Sequence, residues 1–400
     1  MSIDHEAKKT TQVGTEMASA EPQLQSLGSV GDQYLLPYEA LERTLRGLVV
    51  AIKLDDERRD RIQGWLSQQQ NILESRPLSA NQWLEATKSQ FSDDTELYVL
   101  TNLIIGISYM RERGRHSNES QDTLSLNFIW PLVYAALAHT TSLFKPSRSA
   151  AGFIFVPLCS LIKDGGIDEL WRLHVWLPDG VRGALGFKVH GHNAYGQSWI
   201  LAGEGTNHRW TVEPAADKEA ATHAEYRVEW NDGKKQDSSY KTHQVSSTVK
   251  NSHTYFKATH LGTDIETRDM TYTVSHEEWH SSDVAPEVVF ATLFFFDAHR
   301  GFNKDAKILG PKDQESSTQL RDPAGHTPEK LVKTVELMRK WEDLLTAVGN
   351  KPTTTERYVE VLDNINDAKL LCESAPDFPN REYYKEKTMS EFQRAQVVSF

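Results

Sequence analysis

The sequence predicts an α+β protein with a mainly β core and helical flanks. Apolar residues recur at helical spacing through residues 34–144, and the same spacing returns after Thr327. Between these segments, residues 153–296 carry short β-runs interrupted by Gly, Pro, Asn and Asp. These three observations together place a β-domain between two groups of helices.

The same changes in composition divide the chain into four parts. We expect a disordered tail, a helical subdomain, a β-domain and a C-terminal helical extension, at residues 1–33, 34–148, 149–310 and 311–400 respectively. The tail is predicted from its Ser, Thr, Gln and charged residues, which cannot bury enough apolar surface to fold.

Composition excludes several classes of protein. The 400 residues include only two cysteines, Cys159 and Cys372, which rules out a disulfide framework and a cysteine-rich zinc module. The net charge is −12, and the sequence contains no stripe of basic residues, so we expect no nucleic-acid partner. Because no apolar run has the length of a membrane span or a signal peptide, we expect a cytoplasmic protein with no membrane partner.

The helical subdomain is predicted from its apolar stripes and one cap. The first two stripes comprise Leu41, Leu45, Leu48, Val49 and Ile52, then Ile62, Trp65, Leu66, Ile72 and Leu73. Ser79 and Gln82 form a capping box ahead of a third helix, and a fourth helix follows from Leu97 to Ile107. The polar segment 111–122 is predicted to be a loop.

Nine short runs in the β-domain have strand character. They are Leu170–Leu177, Phe187–His192, Gln197–Ala202, Arg209–Glu213, Tyr226–Trp230, Gln244–Lys250, Thr254–Thr259, Met270–Val274 and Val288–Phe296. That number of short strands favours a sandwich or a closed barrel. After the β-domain, Thr327 and Pro328 predict a helix start, and a last helix is expected from about Thr353 through Ile365.

Histidines are concentrated in the β-domain. Eleven of the 15 histidines lie between His174 and His299. His190 and His192 are one residue apart, and on a strand two such side chains point to the same side. Two neutral imidazoles arranged in this way can share one divalent cation. The spacing therefore predicts a metal site on the strand that contains both residues.

These residues resemble the first motif of the cupin superfamily, in particular its thiol-dioxygenase-like branch. That motif has His-x-His on one strand, a carboxylate a few residues later and then a glycine turn. Here the corresponding positions hold His190, His192, Gln197 and Gly203. The second cupin motif implies His280 as the last ligand, on a strand that follows a turn. The resemblance covers residues 170–297 and implies a cupin-like double-stranded β-barrel.

The chain departs from the cupin pattern at several positions. Gln197 replaces the expected glutamate, so the implied ligands are three neutral histidines with at most a weak amide oxygen as a fourth. Ser275 and Glu277 stand where the family has proline and glycine, and residues 214–243 read as an insertion between the motifs. The resemblance still implies a divalent metal. Fe(II) is the leading candidate, and Zn, Ni, Mn or Cu would fit the same ligands.

A competing motif overlaps the second cupin motif. His276–His280 fits His-Glu-x-x-His, which binds zinc in peptidases when it is helical. The β-branched run Thr271–Val274 and the nearby Pro286 disfavour a helix there. On a strand the two histidines would be about 13 Å apart and could not share a metal. We therefore expect His276 in a turn outside the metal site.

The resemblance implies a metal-dependent enzyme, with a non-haem iron(II) oxygenase acting on a small molecule as the leading hypothesis. A non-catalytic small-molecule-binding or scaffolding cupin is the alternative from a different class, and a zinc-dependent hydrolase or isomerase is a third. A homodimer also stays open. The candidate catalytic residues are Tyr195 and Gln197, and the candidate substrate contacts are Arg172, His174 and Trp199.

Overall fold

The computed structural model describes residues 28–72, 76–116, 120–237, 239–304, 307–346 and 355–397. Within these ranges the chain is α+β, as predicted, with eight α-helices and three antiparallel sheets. The helices are α1 (Tyr38–Ala51), α2 (Asp56–Ile72), α3 (Ala80–Gln90), α4 (Thr95–His116), α5 (Thr123–His139), α6 (Pro328–Thr346), α7 (Thr355–Ser374) and α8 (Arg381–Val397). None of these helices has the length and apolar character needed to cross a membrane.

The strands of the N-terminal half begin with a two-residue pair. They are β1 (Leu35–Leu36), β2 (Leu78–Ser79), β3 (Ser147–Arg148), β4 (Ile154–Lys163), β5 (Gly166–Trp176), β6 (Ala194–Ala202) and β7 (Glu204–Pro214). The later strands are β8 (His223–Asn231), β9 (Gln236–Asp237), β10 (Ser246–Thr267), β11 (Thr271–Val274), β12 (Trp279–Asp283), β13 (Phe290–Phe302), β14 (Lys307–Gly310) and β15 (Ser316–Leu320).

A six-stranded sheet lies between the helices and the rest of the β-domain. Its strand order is β11-β6-β13-β5-β4-β3. On β5, Trp171, Leu173 and Val175 join the core formed with the helices, whereas Arg172 and His174 alternate onto the opposite face. Because both faces are covered, the central strand β13 can be apolar without alternation, as the sequence is from Val288 onward.

A seven-stranded sheet makes up the rest of the β-domain. Its strand order is β12-β7-β10-β8-β14, with β15 added on β10 and β9 on β8. Residues 189–191 hydrogen-bond to both edge strands: His190 exchanges two backbone bonds with His280 on β12, and Gly191 donates to Lys307 on β14. The described strands form no sheet that is closed into a barrel, so the expected closed barrel is not confirmed.

Several predicted element boundaries change in the structure. The predicted loop at 111–122 is wrong for residues 111–116, where α4 continues to His116 because Arg111 and Arg113 are buried in ion pairs. Strand β4 was not predicted, because its apolar run is buried on both faces and does not alternate. The two predicted runs between 244 and 259 belong to the single strand β10, which is interrupted near His253, where φ is 56°.

Other differences lie at the two ends of the chain. Most of the expected disordered tail, residues 1–27, lies outside the described residues, and Gly28–Asp32 forms a short 3₁₀ helix. Strand β15, which lies after residue 310, pairs with β10. The predicted caps are present: Ser79 and Gln82 form the capping box of α3, and Thr327 accepts a bond from the first turn of α6.

The helices are joined to the six-stranded sheet by a buried ionic network. Glu169 on β5 and Asp297 on β13 are both 0% exposed. Arg111 Nε donates to Glu169 Oε1 at 2.7 Å and Arg43 Nε donates to Oε2 at 3.1 Å. Arg115 donates to both oxygens of Asp297, at 2.8 and 3.0 Å. Each buried carboxylate therefore has the charged partners that its burial requires.

We predict that Glu169→Gln lowers the free energy of unfolding by about 3–5 kcal/mol at pH 7, because it leaves the buried Arg111 without its counter-charge. Burial acts to raise the pKa of Glu169, but Arg111 and Arg43 outweigh it and hold the pKa below its ordinary value. The stabilisation is therefore present above the unfolded-state pKa of about 4.3 and lost as pH falls through the folded pKa. Denaturant unfolding across this pH range measures how the unfolding free energies of the wild type and of Glu169→Gln converge as the pH falls.

The matched control is Asp56→Asn, which removes an exposed carboxylate that pairs with Arg59 on the surface of α2. We expect no change in the unfolding midpoint for this control. If Glu169→Gln is no more destabilising than Asp56→Asn, the buried network does not join the two layers.

Candidate metal centre

Three histidines converge in the interior of the β-domain. His190 Nε2 lies 3.3 Å from His192 Nε2, which lies 3.0 Å from His280 Nε2. One ligand nitrogen from each residue lies within 4.8 Å of the other two. Each metal–nitrogen bond is about 2.0–2.1 Å long, so three nitrogens at these separations fit around one divalent ion.

The backbone places these histidines differently from the prediction. His280 lies on β12, but His190 forms only isolated bridges and His192 lies outside any strand. The predicted strand Phe187–His192 is therefore wrong, since a 3₁₀ turn at Leu185–Phe187 precedes the pair. The rings of His190 and His280 meet because a pair of backbone hydrogen bonds, at 2.9 and 3.0 Å, holds the two residues opposite each other.

Two of the three rings are oriented by bonds to their outer nitrogens. His190 Nδ1 lies 2.8 Å from the carbonyl oxygen of Lys188, and His280 Nδ1 lies 2.9 Å from Asn207 Oδ1. Both partners are acceptors, so each Nδ1 carries the proton and each Nε2 presents its lone pair to the cluster. This arrangement of outer bonds is typical of metal-binding histidines.

Electrostatics keeps the three rings neutral at physiological pH. Burial lowers the pKa of His190, and it lowers the pKa values of His192 and His280 well below their ordinary value. The neighbouring imidazoles of the cluster reinforce this shift for His192 and His280. Neutral imidazole is the form that binds metals, so the environment favours ligation over protonation.

The surroundings of His192 are apolar and close-fitting. Its ring packs edge-on against Phe294 and Phe296, with centroids at 5.9 and 4.9 Å. A Cβ placed on Gly196 would lie 3.0 Å from His192 Nδ1. The glycine therefore provides the space for this ring on the interior face of β6.

Gln197 points away from the histidine cluster. Its Oε1 accepts a hydrogen bond from Arg300 Nη1 at 2.8 Å and faces Gly114 of α4. Since neighbouring residues on a strand face opposite sides, Gly196 at the cluster implies Gln197 on the helical side. The expectation of Gln197 as a weak fourth ligand or a catalytic residue is therefore corrected.

Two other expected site residues share the helical side of β6. Tyr195 lies under Arg300, whose guanidinium carbon is 4.2 Å from the ring centroid. Trp199 is buried in the core with the helices and stacks on Trp171 at 5.7 Å. Neither residue reaches the cluster, so Tyr195 as a catalytic residue and Trp199 as a substrate contact are also corrected.

Arg172 and His174 lie on the interior face that also carries the cluster. His174 stacks on Phe294 at 5.0 Å, and its buried Nε2 has no hydrogen-bond partner among the described residues. Arg172 pairs with Phe294 across β5 and β13, and neither Arg172 nor His174 joins the cluster, so their expected role as substrate contacts stays a prediction.

The zinc-peptidase reading does not fit the local structure. Residues 276–277 form a turn and β12 begins at Trp279, so the helix needed by His-Glu-x-x-His is absent from this described segment. His276 is not part of the histidine cluster.

An open cleft of about 940 Å³ lies beside the cluster. Its walls include Asn193, which follows His192, and Lys307, whose carbonyl accepts from Gly191. The three histidines themselves do not line this cleft. Sequence reasoning did not identify Asn207, Phe294 or Phe296 as site residues. Alternation along the apolar run 288–296 could have suggested the two phenylalanines, whereas no sequence signal marks Asn207.

We predict that neighbouring substitutions on β6 have different effects on metal binding. Gly196→Val should lower Fe(II) affinity, because its side chain would displace the His192 ring. Gln197→Ala should leave the affinity unchanged and lower the free energy of unfolding by about 1–3 kcal/mol, because Arg300 Nη1 loses one of its two acceptors. Anaerobic Fe(II) titration and denaturant unfolding measure the two effects, and equal loss of affinity in both variants would contradict this assignment of faces.

Comparisons with known proteins leave the family open. No known family description and no curated protein matches the chain. Among solved structures, the chain is similar to hydroxypropylphosphonic acid epoxidase from S. wedmorenis, with 10% sequence identity and a TM-score of 0.20. The match covers 55% of this chain and 96% of that one. A similarity of this size supports no conclusion about fold or function.

Proposed function

We propose that the protein is a metal-dependent enzyme of the cupin type, a non-haem iron(II) oxygenase acting on a small molecule. One observation carries the proposal: three neutral imidazoles direct their Nε2 atoms to one point, and two of them are held there by bonds to their outer nitrogens. Such an arrangement is unfavourable without a cation. His192 Nε2 carries at most one hydrogen, so it can donate to the Nε2 lone pair of His190 or of His280 but not to both.

The cupin part of the proposal rests on the order and setting of the ligands. Two histidines come from a segment that bonds to both edge strands of the seven-stranded sheet, and the third comes from a strand late in the domain. This order matches the two cupin motifs in the sequence. The interior face of the six-stranded sheet supplies the apolar wall behind His192.

The ligand set favours an open iron site over a structural metal site in which every coordination position is filled by the protein. Three histidines leave coordination positions free, and no carboxylate of the described residues joins the group. Iron(II) held by such a set would supply binding positions for both dioxygen and a substrate. The protein's own contribution is to keep the rings neutral, to fix His280 through Asn207 and to exclude water from the side of His192 that faces Phe294.

We predict that the purified protein binds one Fe(II) per chain, and that His190→Ala, His192→Ala and His280→Ala each weaken binding more than tenfold, because each removes one of three ligands. His276→Ala is the matched control, since this histidine lies four residues before His280 and outside the cluster. Metal content after anaerobic loading and desalting measures the effect. Retention of metal in all three ligand variants would reject the metal site.

We predict a smaller effect for Asn207→Ala. This change removes the acceptor that orients His280 and should weaken Fe(II) binding by about 10–100-fold without removing a ligand. The same titration measures it. An affinity equal to that of the wild type would mean that Asn207 does not orient His280.

Oxygen consumption distinguishes the enzyme from its alternatives. We expect the Fe(II)-loaded protein to consume dioxygen with at least one member of a small-molecule panel, and the His280→Ala variant to consume none. Metal binding with no oxygen consumption across the panel would favour a non-catalytic cupin. Selective retention of zinc over iron would favour a hydrolase or isomerase instead.

A further inference from the structure

Two arginines in the interior of the β-domain have no acidic partner within the part of the chain that the structure describes. Arg111 and Arg148, which are buried elsewhere in the fold, each contact a carboxylate. Among the residues that the structure describes, Arg172 and Arg321 ion-pair with none, and the Nε of each is buried without a hydrogen-bond partner. Buried cations are normally paired, so this pair requires an explanation.

The surrounding residues hold both guanidinium groups in place. Arg172, on β5, lies 4.2 Å above the Phe155 ring and donates from Nη2 to the hydroxyl of Tyr240. Arg321, which follows β15 and is 8% exposed, donates from Nη2 to Ser247 Oγ at 2.7 Å. The Tyr240 ring also contacts Trp230, which lies under Arg321. The aromatic residues thus place the two arginines on either side of one small region.

The two positive charges act on each other. Burial, and then the charge of Arg172, lower the pKa of Arg321 to about 10. An anion between them would neutralise both charges and could accept from the unused Nε–H groups. Guanidinium donors match the planar oxygens of a carboxylate or phosphoryl group, which they bind by paired hydrogen bonds.

We propose that Arg172 and Arg321 form a binding site for the carboxylate or phosphoryl group of a small molecule. Two residues next to the site lie in the wall of the cleft: Trp230, whose ring is under Arg321, and Ser239, the residue before Tyr240. Its position relative to the metal centre follows from β5: His174 lies two residues from Arg172, about 7 Å along the strand, and stacks on the Phe294 ring that contacts His192.

The geometry links the anion site to the metal centre, although that link rests on the proposed function. A small molecule bound by its anionic end at Arg172 would extend across His174 and Phe294 towards the three histidines. The histidine ligands are all neutral, so a bound dication would itself attract a second negatively charged group of the same molecule. The inferred ligand is therefore a small organic acid or phosphate ester.

Binding of inorganic phosphate and of acetate to the metal-free protein tests the site. Thermal unfolding is followed as each anion is added, with sodium chloride at equal ionic strength as the reference. We expect a saturable rise in unfolding temperature with at least one of the two anions, and apparent affinity at least tenfold weaker in Arg172→Gln and Arg321→Gln. Arg59→Gln, which changes an exposed arginine of α2, should respond as the wild type does.

The two anions distinguish the ligand classes. Saturation by phosphate alone assigns a phosphoryl group, and saturation by acetate alone assigns a carboxylate. The proposal is overturned if neither anion gives saturable stabilisation. It is also overturned if the wild type and Arg172→Gln are stabilised equally. Since Arg172 is only partly buried, its variant keeps the test decisive if Arg321→Gln fails to fold.

A further variant separates this proposal from the metal site. His192→Ala should lose Fe(II) and keep the phosphate or acetate response, because its side chain does not contact either arginine. If the wild-type protein binds no Fe(II), only the metal site is rejected. If it shows no response to phosphate or acetate, only the anion site is rejected.

Discussion

The ion pair between Glu169 and Arg111 is the interaction on which the rest of the structure depends. Adjacent strands β5, β13 and β6 present Glu169, Asp297 and Gln197 to the helices, and arginines satisfy all three. A shift of any strand by one residue would bury these polar groups without partners and turn the interior-facing residues towards the helices. The same register therefore places Gly196, Phe294 and Arg172 in the interior, so packing on one side of the sheet determines the chemistry on the other.

The interior of the β-domain combines two kinds of unsatisfied group. Three histidines converge with more facing lone pairs than their Nε2 hydrogens can satisfy, and Arg172 and Arg321 have no counter-ion among the described residues. Both features are costly in an empty protein, since buried polar groups are normally paired. They are consistent with one another, because a dication with neutral ligands and a pair of guanidinium groups both favour an anionic ligand. The net charge of −12 gives no hint of this, because it sums a surface that the ligand does not contact.

Much of the architecture could be predicted from local signals. Apolar stripes, the Ser79 capping box and the Thr327 helix start depend on residues close in sequence, and the structure contains each of them. The turn before β12 and the strand character of His280 were also accessible, because β-branched residues and Pro286 exclude a helix. Strand β4 and the end of α4 were not predicted, since their residues are buried by contacts from distant parts of the chain.

For the site, the sequence by itself determined which histidines are candidates, because the spacing of His190 and His192 and the later His280 can be recognised without coordinates. Only the tertiary structure decided which side of β6 faces them. Alternation requires Gly196 and Gln197 to face opposite sides, but it does not tell which side is the interior. That choice depends on Arg300 and α4, which lie far away in sequence and meet Gln197 only after folding. That Arg172 and Arg321 have no acidic partner among the described residues is likewise a tertiary property, because it can be seen only when their neighbours are in place.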